Sequence, residues 1–269
     1  MTHTPSTFAP LADGWTLTAV NIEAAPESLR EALAAGIPAT VPGEATLDLL
    51  NAGLIADPFD GANENDQQWI GDVDWRFTCR FDWHDNGADR HDLVAYGLDT
   101  IADVALNGRP VASTRNFHRS YRWDVRDLLR EGSNELTVTF TSPVRESDRM
   151  EQARGYYPHT EHHAFNQIRK PSYSFGWDWG IDVANAGIWR EIGIDSWSGV
   201  RIAPCVRWST SPPTAPACST CMSRSNVPAR GASCPHTSAI PCVPRCRCMS
   251  ACPASVPMSP PTAWSPKAQ

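Results

Sequence analysis

The sequence predicts an all-β fold, a jelly-roll β-sandwich, and three observations carry that prediction. Short runs alternate apolar and polar residues with period two, so each run has one buried and one wet face. Helical spacing is confined to three brief stretches. Long loops rich in turn residues separate the runs, as expected of many short strands folded into two layers.

In chain order, WTLTAV (15–20) is the first alternating run. ESLREALAAG (27–36) has helical apolar spacing and a terminal Gly36, and ATLDLLNAGL (45–54) predicts about two helical turns that stop at Gly53. RFTCRFDW (76–83), DLVAYGL (92–98) and ADVALNG (102–108) read as strands. Asn107-Gly108 then supplies two residues tolerant of positive φ between strand-like runs, which predicts a hairpin. DVRDLLREG (124–132) predicts one or two further helical turns, and ELTVTF (135–140) and IWREIGIDS (188–196) complete the strands. No internal repeat is present, and a body of this size buries enough surface to fold alone.

The chain's 269 residues fall into two unlike pieces. Residues 209–269 contain no Asp, Glu, Leu, Phe or Tyr, yet carry 12 of the 23 prolines and 7 of the 9 cysteines. All 30 acidic residues precede position 209 and face 18 basic ones, a net charge of −12 that argues against a nucleic-acid partner. No apolar run approaches the ~20 residues of a membrane span. MTHTPSTFAPLADGW has neither a basic n-region nor an apolar h-region, so no signal peptide is expected. Cys79 stands alone until Cys205, which fits a reducing cytoplasm without a disulfide framework.

The chemistry concentrates in YSFGWDWGIDVANAGIWREI (173–192). An indole offers a flat face to the C–H surface of a pyranose, and a neighbouring carboxylate accepts hydrogen bonds from sugar hydroxyls. Trp177, Asp178 and Trp179 form such a set between Gly176 and Gly180. The residues alone leave a second reading open, a core tryptophan pair with Asp178 capping a turn. Glycoside hydrolysis needs two carboxylates across the scissile bond, but Glu64 in a polar loop and Glu135 at a strand start read as solvated or structural. His159, His162 and His163, with Glu161 nearby, have spacing compatible with a metal, and a polar loop is the simpler reading. No Gly-rich phosphate loop and no G-x-S-x-G elbow occurs, so no cofactor is expected. In the tail, Cys218 and Cys221 form C-x-x-C, but Cys242, Cys246, Cys248 and Cys252 follow at irregular spacing, unlike paired zinc knuckles.

A frameshift accounts for the tail better. Read one base out of register with GC-rich codons, residues 209–231 encode DVTADGTGVLDVHVAVERAGA, a turn followed by an alternating strand. The tail as written lacks large apolar residues to offset chain entropy and is expected to be disordered.

Four motifs in order resemble one family. They are VPGEATLDLLNAGLIADPF (41–59), NENDQQWIGDVDWRFTCRFD (63–82), LDTIADVALNGRPVASTRNFHRSYRWDV (98–125) and NQIRKPSYSFGWDWG (166–180). Together they resemble the N-terminal, galactose-binding-like sugar-binding domain of the β-mannosidases, in the glycosidase family that also holds β-galactosidases and β-glucuronidases; FGWDWG is the most specific. The resemblance implies a jelly-roll at 1–197, the first strand of an immunoglobulin-like domain at 198–208, and an aberrant tail at 209–269. It implies that Trp177 and Asp178 line the subsite for a terminal β-mannose, that Arg169 and Lys170 support substrate binding, and that Trp179 packs. It also implies that the catalytic glutamates belong to a barrel domain absent from this chain, so no catalytic residue is assigned. The expected partner is a β-mannoside or mannose-containing oligosaccharide, and the expected role that of an N-terminal fragment of a retaining β-mannosidase-like hydrolase, inactive alone. A stand-alone lectin-like module is the alternative, and a metal-binding tail a third. The coding DNA beyond the Trp208 codon tests the frameshift directly: a long open frame in the shifted register supports it, and early stops there refute it.

Overall fold

The computed structural model describes residues 6–160 and 162–202, with the backbone of further strands at 206–210, 218–222 and 225–226. The chain divides into two compact units, 1–199 and 200–269.

Ten strands build the first unit: β1 (Thr7–Pro10), β2 (Trp15–Ala19), β3 (Ile37–Ala39), β4 (Trp75–Trp83), β5 (Arg90–Ala95), β6 (Ile101–Leu106), β7 (Arg109–Arg115), β8 (Tyr121–Asp124), β9 (Gly132–Phe140) and β10 (Ile192–Trp197). They form a six-stranded sheet, β3-β2-β4-β9-β6-β7, and a four-stranded sheet, β1-β10-β5-β8, both antiparallel. Alternation fills the space between them. Trp75, Phe77 and Cys79 of β4 and Leu136, Val138 and Phe140 of β9 share one core with Leu93 and Ala95 of β5 and Ile192 and Ile194 of β10. Phe77 meets Phe140 edge-on, centroids 5.7 Å apart, the arrangement that ring quadrupoles favour. The Cys79 thiol is sealed in this core, and burial pushes its pKa up to about 11.

The second unit shows two short antiparallel ladders. Strand β11 (Arg201–Ile202) pairs with β14 (Ser225–Asn226), and β12 (Val206–Thr210) with β13 (Cys218–Met222). The remainder of the stretch expected to be disordered, 211–217, 223–224 and 227–269, lies outside the described residues.

The hairpin expected at Asn107-Gly108 is present, with φ of 53° and 74° at its two central residues. Its asparagine does more than turn the chain. Asn107 donates to the Leu128 carbonyl and to Asn134 Oδ1, both at 2.8 Å, and accepts the Glu135 N–H at 3.0 Å. Asn134, itself buried, accepts the Arg130 N–H at 2.9 Å and donates to the carbonyls of Arg130 (2.7 Å) and Gly132 (2.8 Å). These bonds hold 126–131 as a turn and loop where helix was expected.

The other two expected helices form: α1 (Arg30–Ala35), ending at Gly36 with φ 92°, and α2 (Ala45–Asn51). Helix α3 (Pro143–Arg154) was not expected; Ser142 caps it by accepting the Arg145 N–H at 3.0 Å, and Pro143 fits its first turn. A 3₁₀ helix spans Asn63–Asp72. Among the described residues, no helix is long and apolar enough to cross a membrane.

Asp48 of α2 is buried, accepts the Thr40 N–H at 2.9 Å, and leaves its second oxygen without a partner. Burial raises its pKa to about 6, the Thr40 bond opposes this, and Glu44 adds to it. The folded chain therefore holds this proton more tightly than the unfolded chain does. Its contribution favours folding below about pH 4 and is lost as pH rises through about 6, on the order of 3 kcal/mol in all. In urea unfolding from pH 4 to 7, wild type loses this contribution relative to Asp48→Asn as pH rises; parallel profiles would refute the assignment. Asn134→Ala strands three backbone groups and the Asn107 amide, and lowers stability by about 3 kcal/mol in the same assay, whereas Asn134→Asp, which keeps the acceptor, costs less.

Candidate functional site

The aromatic stretch sits on a loop built in three steps. The 3₁₀ helix Ser172–Phe175 drives Phe175 into a small core with Val144 and Ala184. Gly176 follows with φ +94°, and a Cβ there would lie 2.9 Å from the Asp182 side chain, so the position admits only glycine for conformation and space alike. Trp177 to Gly180 then forms a tight turn closed by the Gly180 N–H on the Trp177 carbonyl at 3.1 Å.

The return limb is held from two sides. Glu64 Oε2 accepts the Asp182 N–H at 2.7 Å, while Gln68 donates to the Asp182 carbonyl and, at 3.0 Å, to the Glu64 carbonyl. Further along, Gly187 pairs with Asp99, donating at 3.2 Å and accepting at 2.9 Å; Ala186 accepts the Ala45 N–H and Ile188 the Gly43 N–H, both at 2.9 Å. A Cβ on Gly187 would come within 2.3 Å of the Gly43 carbonyl oxygen, so this close approach needs glycine.

Lys170 closes the base of the loop. Its side chain is 0% exposed, and its ammonium bonds to Asp99 Oδ2, to the Asn185 carbonyl at 2.9 Å and to Asn185 Oδ1 at 3.3 Å. The Asn185 amide in turn donates to Glu44 Oε2. Burial raises the Glu44 carboxyl above its ordinary value; the Lys170 charge pulls it back and Asp99 adds to the rise.

The loop projects an aromatic corner into solvent. Trp177 is 40% and Trp179 75% exposed, with ring centroids 5.3 Å apart and planes tilted by 50°. Beside them lies an open depression of about 460 Å³, lined by Glu64, Thr160, Gly176, Trp177, Asp178 and Asp182. Glu64 and Asp182 hold the loop, and His162 Nε2 stands 3.2 Å from Asp182 Oδ2. Asp178 is exposed and makes no side-chain bond among the described residues. An exposed indole beside an uncommitted carboxylate supplies an apolar face and a hydrogen-bond acceptor, the two features a pyranose presents surfaces for.

The four candidate residues therefore separate. Trp177 and Asp178 share the depression. Lys170 lies buried at the loop base and acts on the turn only through its anchoring bonds. Arg169 is exposed, bridges Asn116 through its backbone and accepts the Phe117 N–H at 3.0 Å, away from the depression's lining. Trp179, expected to pack, is the most exposed ring of the turn, because the turn points both indoles outward. Glu64 has the structural role read for it, but its partner Asp182 and the supporting Gln68 were missed; their link spans over a hundred positions, and no local pattern announces it.

His162 and His163 lie together, ring centroids 4.4 Å apart, while His159 is engaged elsewhere. His159 faces Glu151 at 3.4 Å, His162 faces Asp182, and His163 lies in a second depression with Asp72 and Val144. Burial lowers the His163 pKa, the neighbouring His162 lowers it further, and Asp148, Asp182 and Asp72 oppose the fall. Among the described residues, no group of three or more His, Cys, Asp and Glu side chains is placed to hold a metal; Glu161 lies outside them.

Comparison with known proteins agrees with this architecture. The family described as glycosyl hydrolase 2 galactose-binding domain-like matches residues 15–190. The β-mannosidase of Bos taurus is 34% identical over 174 residues, covering 60% of this chain and 20% of its own length. β-Mannosidase A of Emericella nidulans is 37% identical over 174 residues, with coverages of 59% and 18%. Among solved structures, a β-D-mannosidase from Dictyoglomus thermophilum superposes with TM-score 0.65 at 31% identity, covering 76% of this chain and 24% of that one. An exo-chitosanase from Amycolatopsis orientalis, at 20% identity and TM-score 0.53, shares the fold. The chain thus spans about a fifth of the length of the curated relatives it matches. With the family match running through the sandwich and the aromatic loop alike, this chain belongs to the glycosyl hydrolase 2 galactose-binding domain-like family.

Proposed function

We propose that the chain carries the sugar-recognition module of a retaining β-mannosidase-like glycoside hydrolase, and that Trp177 and Asp178 form part of the subsite for a terminal, non-reducing β-D-mannose. The observation that carries this reading is the exposed Trp177–Asp178 turn, held rigidly by the module's own bonds through Glu64, Gln68 and Gly176. Two full β-mannosidases of about a third identity over the same region support the choice of sugar. Trp177 covers the apolar face of the ring, Asp178 accepts from its hydroxyls, and Lys170 keeps the loop closed.

Retaining hydrolysis requires a nucleophile and an acid/base flanking the scissile bond. Of the carboxylates at the depression, Glu64 is engaged by the Asp182 N–H and Asp182 by His162, which leaves Asp178 as the uncommitted one. The module recognises sugar, then, and the bond-breaking pair comes from outside it. A second reading is favoured by the turn's restraints through Glu64, Gln68 and Phe175, which lie within the first unit: the module binds sugar on its own, as a lectin does.

Enzyme assay and calorimetry separate these readings. The purified chain releases no nitrophenol from an aryl β-D-mannoside above the buffer rate, and turnover by it would overturn the assignment. A protein with the reading frame restored after Trp208 hydrolyses the same substrate, and Asp178→Ala lowers its kcat/KM by about a hundredfold, the loss of a charged hydrogen bond made to substrate. Undiminished kcat/KM removes Asp178 from the subsite. Heat of mannobiose binding to the chain alone, abolished by Asp178→Ala, selects the lectin-like reading.

A further inference from the structure

A third depression, of about 380 Å³, lies apart from the aromatic turn and is lined by Pro42, Tyr96, Trp189, Arg190 and Glu191. Its construction is unusual in an acidic body. Phe117 and Trp189 stack with centroids 4.2 Å apart and planes 3° from parallel, and the Arg190 guanidinium sits 4.2 Å from the Trp189 ring centroid. Stacking holds the guanidinium flat and leaves its N–H edge free. Arg190 makes no ion pair or side-chain hydrogen bond among the described residues, although Glu191 is its neighbour in sequence. Two further guanidiniums in the same condition are carried on the backbone around this stack. Arg169 accepts the Phe117 N–H through its carbonyl, and Arg119 follows Phe117 by two positions, 5.9 Å from the Tyr121 ring centroid. Six other arginines meet carboxylates, Arg80 with Glu135, Arg90 with Asp124, Arg115 and Arg149 with Glu146, Arg122 with Asp92 and Asp195, and Arg145 with Asp74, while Arg30, Arg109, Arg126 and Arg154 bond to backbone carbonyls. The Trp189 indole N–H is buried against Gly97 and finds no acceptor among the described residues.

We infer that this depression binds a sugar-sized organic carboxylate, an acidic sugar, with Arg190 gripping the carboxylate and Tyr96 and Pro42 covering the carbon skeleton. A flat, pre-oriented guanidinium edge matches the two oxygens of a planar carboxylate. Glu191 at the rim limits the field of Arg190, which suits a monoanion better than a phosphate dianion. The tail beyond residue 208 contains no Asp or Glu, so it supplies no carboxylate side chain of its own. The inference does not rest on the Trp177–Asp178 reading, and either can fail alone.

Calorimetry on the full chain at low salt tests it with sodium glucuronate, glucose and inorganic phosphate. Glucuronate binds at least about tenfold more tightly than glucose and more tightly than phosphate, and mannose does not displace it. Arg190→Gln abolishes the heat, and Arg190→Lys, which keeps the charge but loses the fork and the stack, weakens binding about tenfold. Circular dichroism confirms that both exposed-site variants remain folded. No glucuronate heat, equal affinity for glucose, tighter binding of phosphate, or binding that survives Arg190→Gln each overturns the inference.

Discussion

The buried ammonium of Lys170 is the interaction on which the aromatic end of the first unit depends. An ammonium withdrawn from water costs several kcal/mol unless its protons find acceptors in good geometry. Here the acceptors are Asp99 Oδ2 and two oxygens of Asn185, and Asn185 is steadied by Glu44. These belong to segments far apart in sequence: the end of the β5 connection, the return limb of the loop, and the start of α2. The charge is satisfied only when all of them converge. Such a pair adds little net stability over a well-packed apolar equivalent, but it tolerates few arrangements. Its contribution is to select one closed loop among the many that a segment of this length can adopt.

That selection explains how two large indoles remain in water on a fixed turn. Phe175 and Ala184 anchor the two limbs in the small core, Glu64 and Gln68 hold the return limb at Asp182, and Gly176 brings the chain close to Asp182. Between these restraints four residues have nowhere to go but outward. The exposed aromatic area is therefore imposed by the anchors, and a ligand meets a turn whose ordering cost has largely been met in folding.

The sandwich was legible because its signals are local. Strands β2, β4, β6 and β9 alternate in the sequence as they do in the core, and Asn107-Gly108 carries its turn in two residues. The short strands β1, β3 and β8 are too brief to show a period. Helix α3 was hidden for a different reason: the side it buries includes Glu146 and Ser147, so apolar spacing never develops. Glu146 is tolerated there because Arg149 and Arg115 bond to it, which also holds its pKa below the ordinary carboxylate range. At the site, the residue types of Trp177 and Asp178 advertised their chemistry, whereas the fate of Lys170 was set by Asp99, seventy-one positions away. Local sequence singled out the groups; long-range pairing decided which of them reach solvent.

The same pairing logic sorts the module's surface by charge. At the aromatic turn the carboxylates of Asp178, Glu64 and Asp182 line the depression, a charge that disfavours an anion and is compatible with a neutral polyol, which brings its own hydroxyl donors. At the Phe117–Trp189 stack the sign of the charge is inverted: the Arg190 guanidinium lies over the Trp189 ring, where a carboxylate would gain a charge-assisted pair that a neutral hydroxyl acceptor does not. Desolvating a hydrogen-bonding group without replacing its partner costs more than a good bond returns, so a carboxylate brought beside Asp178 would lose more there than at Arg190.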